Sequence, residues 1–75
     1  MISDEQIGAR VRALRGSRPQ ATVATSMALL GGWKTWRQQT VAQIERGDRS
    51  LKLAEAVTLT QILGCDLDAL VTEED

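Results

Sequence analysis

Residues 38–47, which read QQTVAQIERG, determine how the whole chain is interpreted. The only two large apolar residues of this stretch, Val41 and Ile44, are three positions apart, as on one face of a short helix. Gly47 follows at a position typical of a left-handed helix stop. We therefore predict a helix from about Arg37 to Glu45 that two apolar side chains anchor to a core.

The other face of this helix carries uncharged side chains that form hydrogen bonds: Gln38, Gln39, Thr40 and Gln43. A glutamine offers a donor and an acceptor together, which matches the N6 and N7 pattern of adenine in the major groove. Arg37 and Arg46 stand at the two ends, where cations could bind phosphates on either side. The alternative interpretation is a solvated face that happens to be rich in glutamine.

Two helices are predicted before this segment. Ser3 and Gln6 match a capping box at the start of the first, whose apolar stripe is expected to be Ile7, Val11 and Leu14. The second is expected to begin near Pro19-Gln20 and to stop at Gly31-Gly32. Its expected buried residues are Val23, Met27 and Leu30.

Two more helices are predicted after it. Ser50 is expected to cap a fourth helix over about 51–63, which Gly64 ends and whose apolar residues cover more than one stripe. Asp66 is expected to cap a short fifth helix carrying Leu67, Leu70 and Val71. Because no segment alternates with a period of two, the predicted fold is all-α: a compact five-helix domain over 1–71, with an acidic tail at 72–75.

The composition excludes several classes of protein. The chain has 75 residues, of which 43% are hydrophobic, which suits one small globular domain. It has no His and a single Cys, so an internal disulfide and a Cys-rich zinc site are impossible. No paired carboxylates or glycine-rich phosphate loop suggest catalysis. We therefore predict no enzymatic activity, no catalytic residue, no cofactor, no metal site and no small-molecule substrate.

The distribution of charge is more informative than its total. The formal net charge is −1, but residues 10–52 contain all nine basic residues and only two acids, which gives this stretch +7. Such asymmetry suggests a middle segment that faces a polyanion, although ordinary clustering of surface charge is the alternative. The longest uncharged stretches, 19–33 and 56–65, are too short to span a membrane, and charges within residues 4–15 argue against a signal peptide. We therefore expect a cytoplasmic protein.

The pattern Gln20-x-x-Val23-Ala24 followed by Thr40-Val41-x-x-Ile44-Glu45-Arg46-Gly47 resembles the helix-turn-helix signature of the Cro and lambda-repressor family, also called the xenobiotic-response-element type. The segments 7–15 and 63–70 resemble the first and last helices of these domains, so the likeness covers about residues 5–71. The run from Trp36 to Val57 is similar to a subgroup frequent in actinobacteria and their phages.

The resemblance implies a lambda-repressor-like DNA-binding domain in which the second and third helices form the helix-turn-helix. It implies that Gln38 and Gln39 read bases and that Thr40 and Gln43 are secondary contacts. It also implies that Gln20 binds a phosphate and braces the recognition helix, and that Arg46 binds a phosphate. With Lys34 and Arg37, these residues form the predicted DNA-binding set.

One feature departs from the family pattern. Val41 follows Gln20 by 21 positions, so the turn is lengthened, and the extra residues include Gly31, Gly32 and Lys34. The relative placement of Gln20 and Gln38 is therefore open. Trp33 and Trp36 could close this connector onto the core, or one of them could lie along the DNA backbone; we favour the core.

The resulting functional hypothesis is a transcriptional regulator that binds double-stranded DNA sequence-specifically, as a phage Cro-like or immunity-type repressor that acts by occupying its operator. The alternative is an antitoxin-type module that neutralises a partner protein through helices 4 and 5. The operator, the regulated genes and the oligomeric state are open. Any homodimer is expected to form through helices 4 and 5.

Overall fold

The computed structural model describes residues 2–72, which form five helices and no strand. The helices are α1 (Asp4–Arg15), α2 (Gln20–Gly31), α3 (Gln38–Glu45), α4 (Leu53–Leu63) and α5 (Asp68–Val71). The predicted all-α, five-helix architecture is confirmed. Of the predicted acidic tail at 72–75, only Thr72 lies within the described residues. None of the helices in this range combines the length and the apolar character needed to cross a membrane.

The predicted start of α1 is confirmed in detail. Ser3 Oγ accepts a hydrogen bond from the backbone N–H of Gln6 at 3.1 Å, and Gln6 Oε1 accepts one from the backbone N–H of Ser3 at 2.8 Å. This reciprocal pair satisfies two donors that a helix start otherwise leaves open. It fixes the direction in which α1 enters the core.

The core is aliphatic except for one tryptophan. Its buried apolar residues are Val11, Val23, Ala24, Met27, Trp36, Val41, Ile44, Ala56, Leu59, Leu63 and Leu70. The prediction that Leu30 is buried is wrong, because this side chain is 76% exposed. Trp33, and not Leu30, packs against the core, and a Cβ atom at Gly31 would collide with the Trp33 ring and the methyl group of Thr58.

Two predicted caps are also wrong. Ser50 does not cap α4; its hydroxyl donates to Asp4 Oδ2 at 2.7 Å instead. The helix begins at Leu53, and Glu55 Oε1 accepts the backbone N–H of Lys52 at 3.0 Å. At the last helix no side chain provides a cap, and Asp66 only accepts the N–H of Ala69 through its backbone oxygen. The Ser50 hydroxyl thus joins the α3–α4 loop to the start of α1.

The helix α3 packs on both α1 and α2. On α1, the buried Gly8 lies so close to the carbonyl oxygens of Ile44 and Glu45 that a Cβ atom there would collide with the α3 backbone. Gly47 ends this segment with φ at 78°, as predicted for a left-handed stop. The close approach lets side chains of α1 reach the carboxyl end of α3.

Candidate nucleic-acid interface

The outer face of α3 has the polarity that the sequence predicts. Gln38, Gln39 and Gln43 are exposed and Thr40 is half-buried. On the opposite face, Val41 and Ile44 are each 1% exposed. The apolar anchors are therefore confirmed, and the first turn of α3 presents two neighbouring amides to solvent.

Cations border this first turn. Arg37 precedes α3, and its backbone N–H donates to Thr40 Oγ1 at 3.0 Å, which stabilises the helix start. The Arg37 guanidinium folds back over the connector, where Nη1 donates to the carbonyl oxygens of Lys34 at 3.0 Å and Trp36 at 3.3 Å. The side chains of Lys34 and Arg37 are both exposed. Positive charge is thus concentrated at the start of α3, beside Gln38 and Gln39.

The opposite end of α3 is held by a buried carboxylate. Glu45 has a side chain that is 4% exposed, and it accepts two hydrogen bonds from Arg15, at 2.6 and 3.0 Å. Gln20 Nε2 donates to the same carboxylate at 2.9 Å. Burial would raise the pKa of Glu45, but the bonds from Arg15 and Gln20 outweigh it and hold the pKa below its ordinary value. The bonds of Glu45 with Arg15 and Gln20 therefore join α1, α2 and the end of α3.

The contact between Gln20 and Glu45 answers the question that the lengthened turn raised. Gln20 lies beside the last residue of α3, whereas Gln38 lies at the first. Near Gln20 a concavity of about 240 Å³ is lined by Arg12, Arg15, Gln20, Ala42, Glu45 and Arg46. A separate groove of about 320 Å³ lies beside Gln38, between α2 and the start of α3. The predicted site residues therefore divide between the two ends of α3.

Arg46 follows α3 and is 62% exposed in its side chain. Its Nε atom donates to Asp48 Oδ2 at 3.0 Å, and both partners are open to solvent. Such exposed pairs contribute little to folding stability. The Arg46 guanidinium therefore lines the concavity near Gln20 and contributes little to folding stability.

Arg49 lies four positions after Glu45 but pairs with Glu55 instead. Arg49 donates to the two oxygens of Glu55 at 3.2 and 2.9 Å, and its guanidinium carbon is 5.5 Å from the centre of the Trp36 ring. Trp36 Nε1 donates to Glu55 Oε2 at 3.0 Å. Trp36, Arg49 and Glu55 form what we call the anchor cluster.

The two tryptophans close the connector onto the core, as favoured from the sequence. Trp36 is 3% exposed and belongs to the core, so it does not lie along DNA. Trp33 is half-buried, and its Nε1 atom is buried with no hydrogen-bond partner within residues 2–72. The two indoles therefore differ in one respect that an experiment can use: within residues 2–72, only the Trp36 indole donates a hydrogen bond.

Several basic residues form hydrogen bonds within the fold that the charge pattern did not predict. Arg18 donates to the carbonyl oxygens of Leu14, Arg15, Ile62 and Leu63, which lie at the carboxyl ends of α1 and α4. A cation is favourable at such helix ends. Arg15 and Arg49 bind carboxylates and Arg10 donates to the Leu70 carbonyl oxygen, so with Arg18 four of the nine cations bond across the fold. The +7 of residues 10–52 therefore overstates the charge that could face a polyanion.

The anchor cluster is the part of the site that sequence reasoning missed. One signal was present: Glu55 lies four positions before the buried Leu59, on the inward side of α4. An acid at a core position needs a partner, because burying an unpaired charge is costly. The identity of that partner could not be read from spacing along one helix.

Glu55 makes a pH dependence of stability predictable. Burial alone would raise its pKa, but bonds from Arg49, the Lys52 backbone N–H and Trp36 outweigh this and lower the pKa from 4.5 to about 2. A carboxyl with a lowered folded-state pKa stabilises the fold above its unfolded pKa, and this contribution is lost as pH falls toward the folded value. We expect the free energy of unfolding to fall by about 3 kcal/mol for this group between pH 6 and pH 2.

Urea denaturation between pH 2 and pH 6 measures this effect. Glu55→Gln should be less stable than the original protein at pH 6 and should show a flatter pH dependence. Asp48→Asn is the matched control, because Asp48 is an exposed carboxylate. An unaltered slope in Glu55→Gln would contradict the assignment.

Comparison with known proteins supplies a fold relationship. No protein-family profile matches the sequence, and no curated protein sequence matches it. Solved structures do match. The restriction-modification controller protein C.AhdI from Aeromonas hydrophila is similar with a TM-score of 0.75 and 24% identity, over 91% of this chain and 91% of its own. The DNA-binding domain of BldD is similar with a TM-score of 0.67 and 26% identity, over 95% of this chain and 99% of that domain.

Both neighbours are helix-turn-helix proteins of the Cro and lambda-repressor type. Their likeness spans nearly all of this chain, including α2 and α3. The protein therefore has the Cro/lambda-repressor-like helix-turn-helix fold, in which α2, the lengthened connector and α3 form the helix-turn-helix.

Proposed function

We propose that the protein is a transcriptional regulator that binds double-stranded DNA sequence-specifically, with α3 as its recognition helix. The observation that carries this proposal is the first turn of α3, where Gln38 and Gln39 are exposed next to Lys34 and Arg37. An uncharged face can lie against base edges while the bordering cations meet phosphates. The similarity to a DNA-binding domain at 26% identity supports the same function.

In this proposal Gln38 and Gln39 form the main base contacts. Thr40 and Gln43 lie on the same helix and make secondary contacts with bases or phosphates. Because Thr40 Oγ1 already accepts the Arg37 N–H, its part is the smaller one. Gln43 is exposed one turn further along α3 and is free to reach the groove floor.

A phosphate is proposed to bind at the concavity near Gln20. Gln20 begins α2, where backbone N–H groups and the helix dipole favour an anion. Its amide nitrogen has two hydrogens, so one can donate to Glu45 while the other reaches a phosphate. Arg12 and Arg46 line the same concavity and add positive charge. Lys34 and Arg37 are proposed to bind phosphates at the other end of α3.

Repression by operator occupancy is the mode of action that we propose, together with a cytoplasmic location where chromosomal or phage DNA is accessible. The relationship to an actinobacterial or actinophage subgroup stays a prediction.

Selection of bound duplexes from a random pool tests the function directly. Enrichment of one consensus supports the proposal, and recovery of unenriched sequence at every round would contradict it.

We also propose a homodimer formed through α4 and α5. Leu53 and Val57 are 71% and 45% exposed one turn apart on α4, and Val71 is 39% exposed on α5. Exposed apolar side chains on these two helices favour a protein contact. A two-fold dimer would place two recognition helices about 34 Å apart on successive major grooves.

Gln38→Ala and Gln39→Ala test base reading. Each glutamine can form a two-bond contact worth about 1–3 kcal/mol of discrimination. We expect each variant to lose affinity for the selected site while affinity for scrambled DNA, measured at the same salt concentration, stays the same. Thermal unfolding should stay nearly unchanged because both side chains are exposed. Gln61→Ala, at an exposed position on α4, is the control. Equal losses for both duplexes would move base reading to Thr40 and Gln43.

Arg46→Ala tests phosphate binding. Removing one phosphate contact should weaken binding to selected and scrambled DNA alike and reduce the salt slope by about one unit. Arg10→Gln removes the same charge beside α5, where Arg10 donates to the Leu70 carbonyl oxygen, and should leave the slope unchanged. Fluorescence anisotropy across a salt series gives both slopes. A change in base preference without a change in slope would count against the role of Arg46.

Leu53→Ser tests the dimer. The variant should shift self-association to higher protein concentration in sedimentation equilibrium, because it removes an exposed apolar side chain from the proposed interface. Leu29→Ser is the matched control, since Leu29 is 80% exposed on α2. A protein that is monomeric at every concentration, or that is affected only by Leu29→Ser, would refute the interface.

A further inference from the structure

We infer that the anchor cluster sets the position of the first turn of α3. In this way it determines base specificity without itself contacting a base. Trp36, Arg49 and Glu55 are positioning residues in this proposal, which rests on the proposed DNA-binding function. The lengthened connector creates the need for them. A long turn does not by itself hold the start of the next helix in one place.

The first step of the argument is the location of Trp36. It lies two residues before Gln38, within the connector, and it is the one connector side chain of the core cluster. Any displacement of its indole therefore moves the backbone from which the first turn of α3 begins. Trp36 is also tied locally, because its backbone N–H donates to the Trp33 carbonyl oxygen at 3.1 Å.

The second step is how Glu55 holds this indole. The carboxylate is 2% exposed and accepts four hydrogen bonds: from Trp36 Nε1, from two nitrogens of Arg49 and from the Lys52 backbone N–H. All four donors lie outside α3. The connector before α3 and the loop after it are thus joined on one side chain of α4.

The third step is that, among residues 2–72, no side-chain hydrogen bond joins the first turn of α3 itself to another helix, since the Arg37–Thr40 bond is local. The direct packing of α3 is on α1 and α2, and the Glu45 contacts with Arg15 and Gln20 fix only its last turn. Among residues 2–72, the hydrogen bond from Trp36 to Glu55 is the side-chain link between the connector and α4. Two carboxylates therefore hold the two ends of the recognition helix separately.

Base reading is sensitive to this arrangement in a way that phosphate binding is not. A two-bond contact to a base edge needs donor and acceptor distances near 3 Å and good angles. Long flexible cations such as Lys34 can follow a phosphate over a wider range. Loosening the start of α3 should therefore reduce specific binding and spare non-specific binding.

Trp36→Phe is the decisive variant, with Trp33→Phe as its matched control. Both changes remove one indole N–H from the same connector, but only the Trp36 N–H has a hydrogen-bond partner within the described residues. We expect Trp36→Phe to lower the ratio of specific to non-specific affinity by about tenfold, the value of one two-bond base contact. Trp33→Phe should keep the original ratio. Both ratios are measured at one salt concentration and at a temperature where circular dichroism shows the folded protein.

Amide hydrogen exchange without DNA separates this inference from the proposed function. Trp36→Phe should reduce protection of the Thr40 and Val41 amides, in the first turn of α3, by more than that of the Leu59 amide in α4. A uniform loss of protection would mean a merely structural role and would overturn the inference. So would an unchanged affinity ratio. If the original protein prefers no sequence, the proposed function fails, while exchange still decides the positioning role.

Arg49→Lys provides a second route should Trp36→Phe fail to fold. It keeps a positive charge but loses the two-nitrogen contact with Glu55 and the stacking on Trp36. The affinity ratio should fall in the same direction, with non-specific affinity unchanged. Loss of both affinities in proportion would assign Arg49 to phosphate binding instead and would overturn the positioning role.

Discussion

The carboxylate of Glu55 is the constraint on which the position of the connector before α3 depends. A charged group that is 2% exposed is tolerated only because four donors surround it. Those donors come from the connector, from the α3–α4 loop and from the backbone at the start of α4. Satisfying one buried charge therefore brings together three segments that apolar packing alone would leave loosely related. Glu45 does the same at the other end of α3 with Arg15 and Gln20.

Buried ion pairs of this kind are better explained by geometry than by stability. Desolvating two charges offsets most of their attraction, so apolar side chains of similar volume often stabilise a core as well. Apolar packing, however, permits small rotations and slides. A carboxylate that accepts bonds from fixed directions does not. A short α3 of eight residues, with only Val41 and Ile44 in the core, gains from contacts that define its direction.

Local patterns predicted what local forces determine. The capping box of α1, the apolar pair of α3 and the glycine stops at Gly47 and Gly64 all rest on residues within one or two turns, and the structure has each of them. The exposed amides of α3 follow from the same pattern. Two of the wrong predictions have a common physical cause. Trp33 and not Leu30 packs against the core, and Ser50 bonds Asp4 rather than its own helix, because contacts made across the fold overrode a valid local preference.

The charge pairs could not be predicted from local patterns either, because their partners meet only through contacts across the fold. Arg15 and Glu45 are 30 positions apart, whereas helical spacing alone would place Arg49, four positions after Glu45, next to this acid. Only the close approach of α1 to α3, which Gly8 permits, makes the actual pair possible.

Arginine consequently has two separable uses in this chain. Arg15, Arg18 and Arg49 have fixed acceptors inside the fold, and their planar, multi-donor heads suit that task. Lys34, Arg37 and Arg46 are exposed around α3 and suit a mobile polyanion. A count of basic residues merges these groups, whereas exposure distinguishes them, because the first three are half-buried and the other three are exposed. The cations that hold the recognition helix in place are thus different residues from those proposed to bring DNA to it.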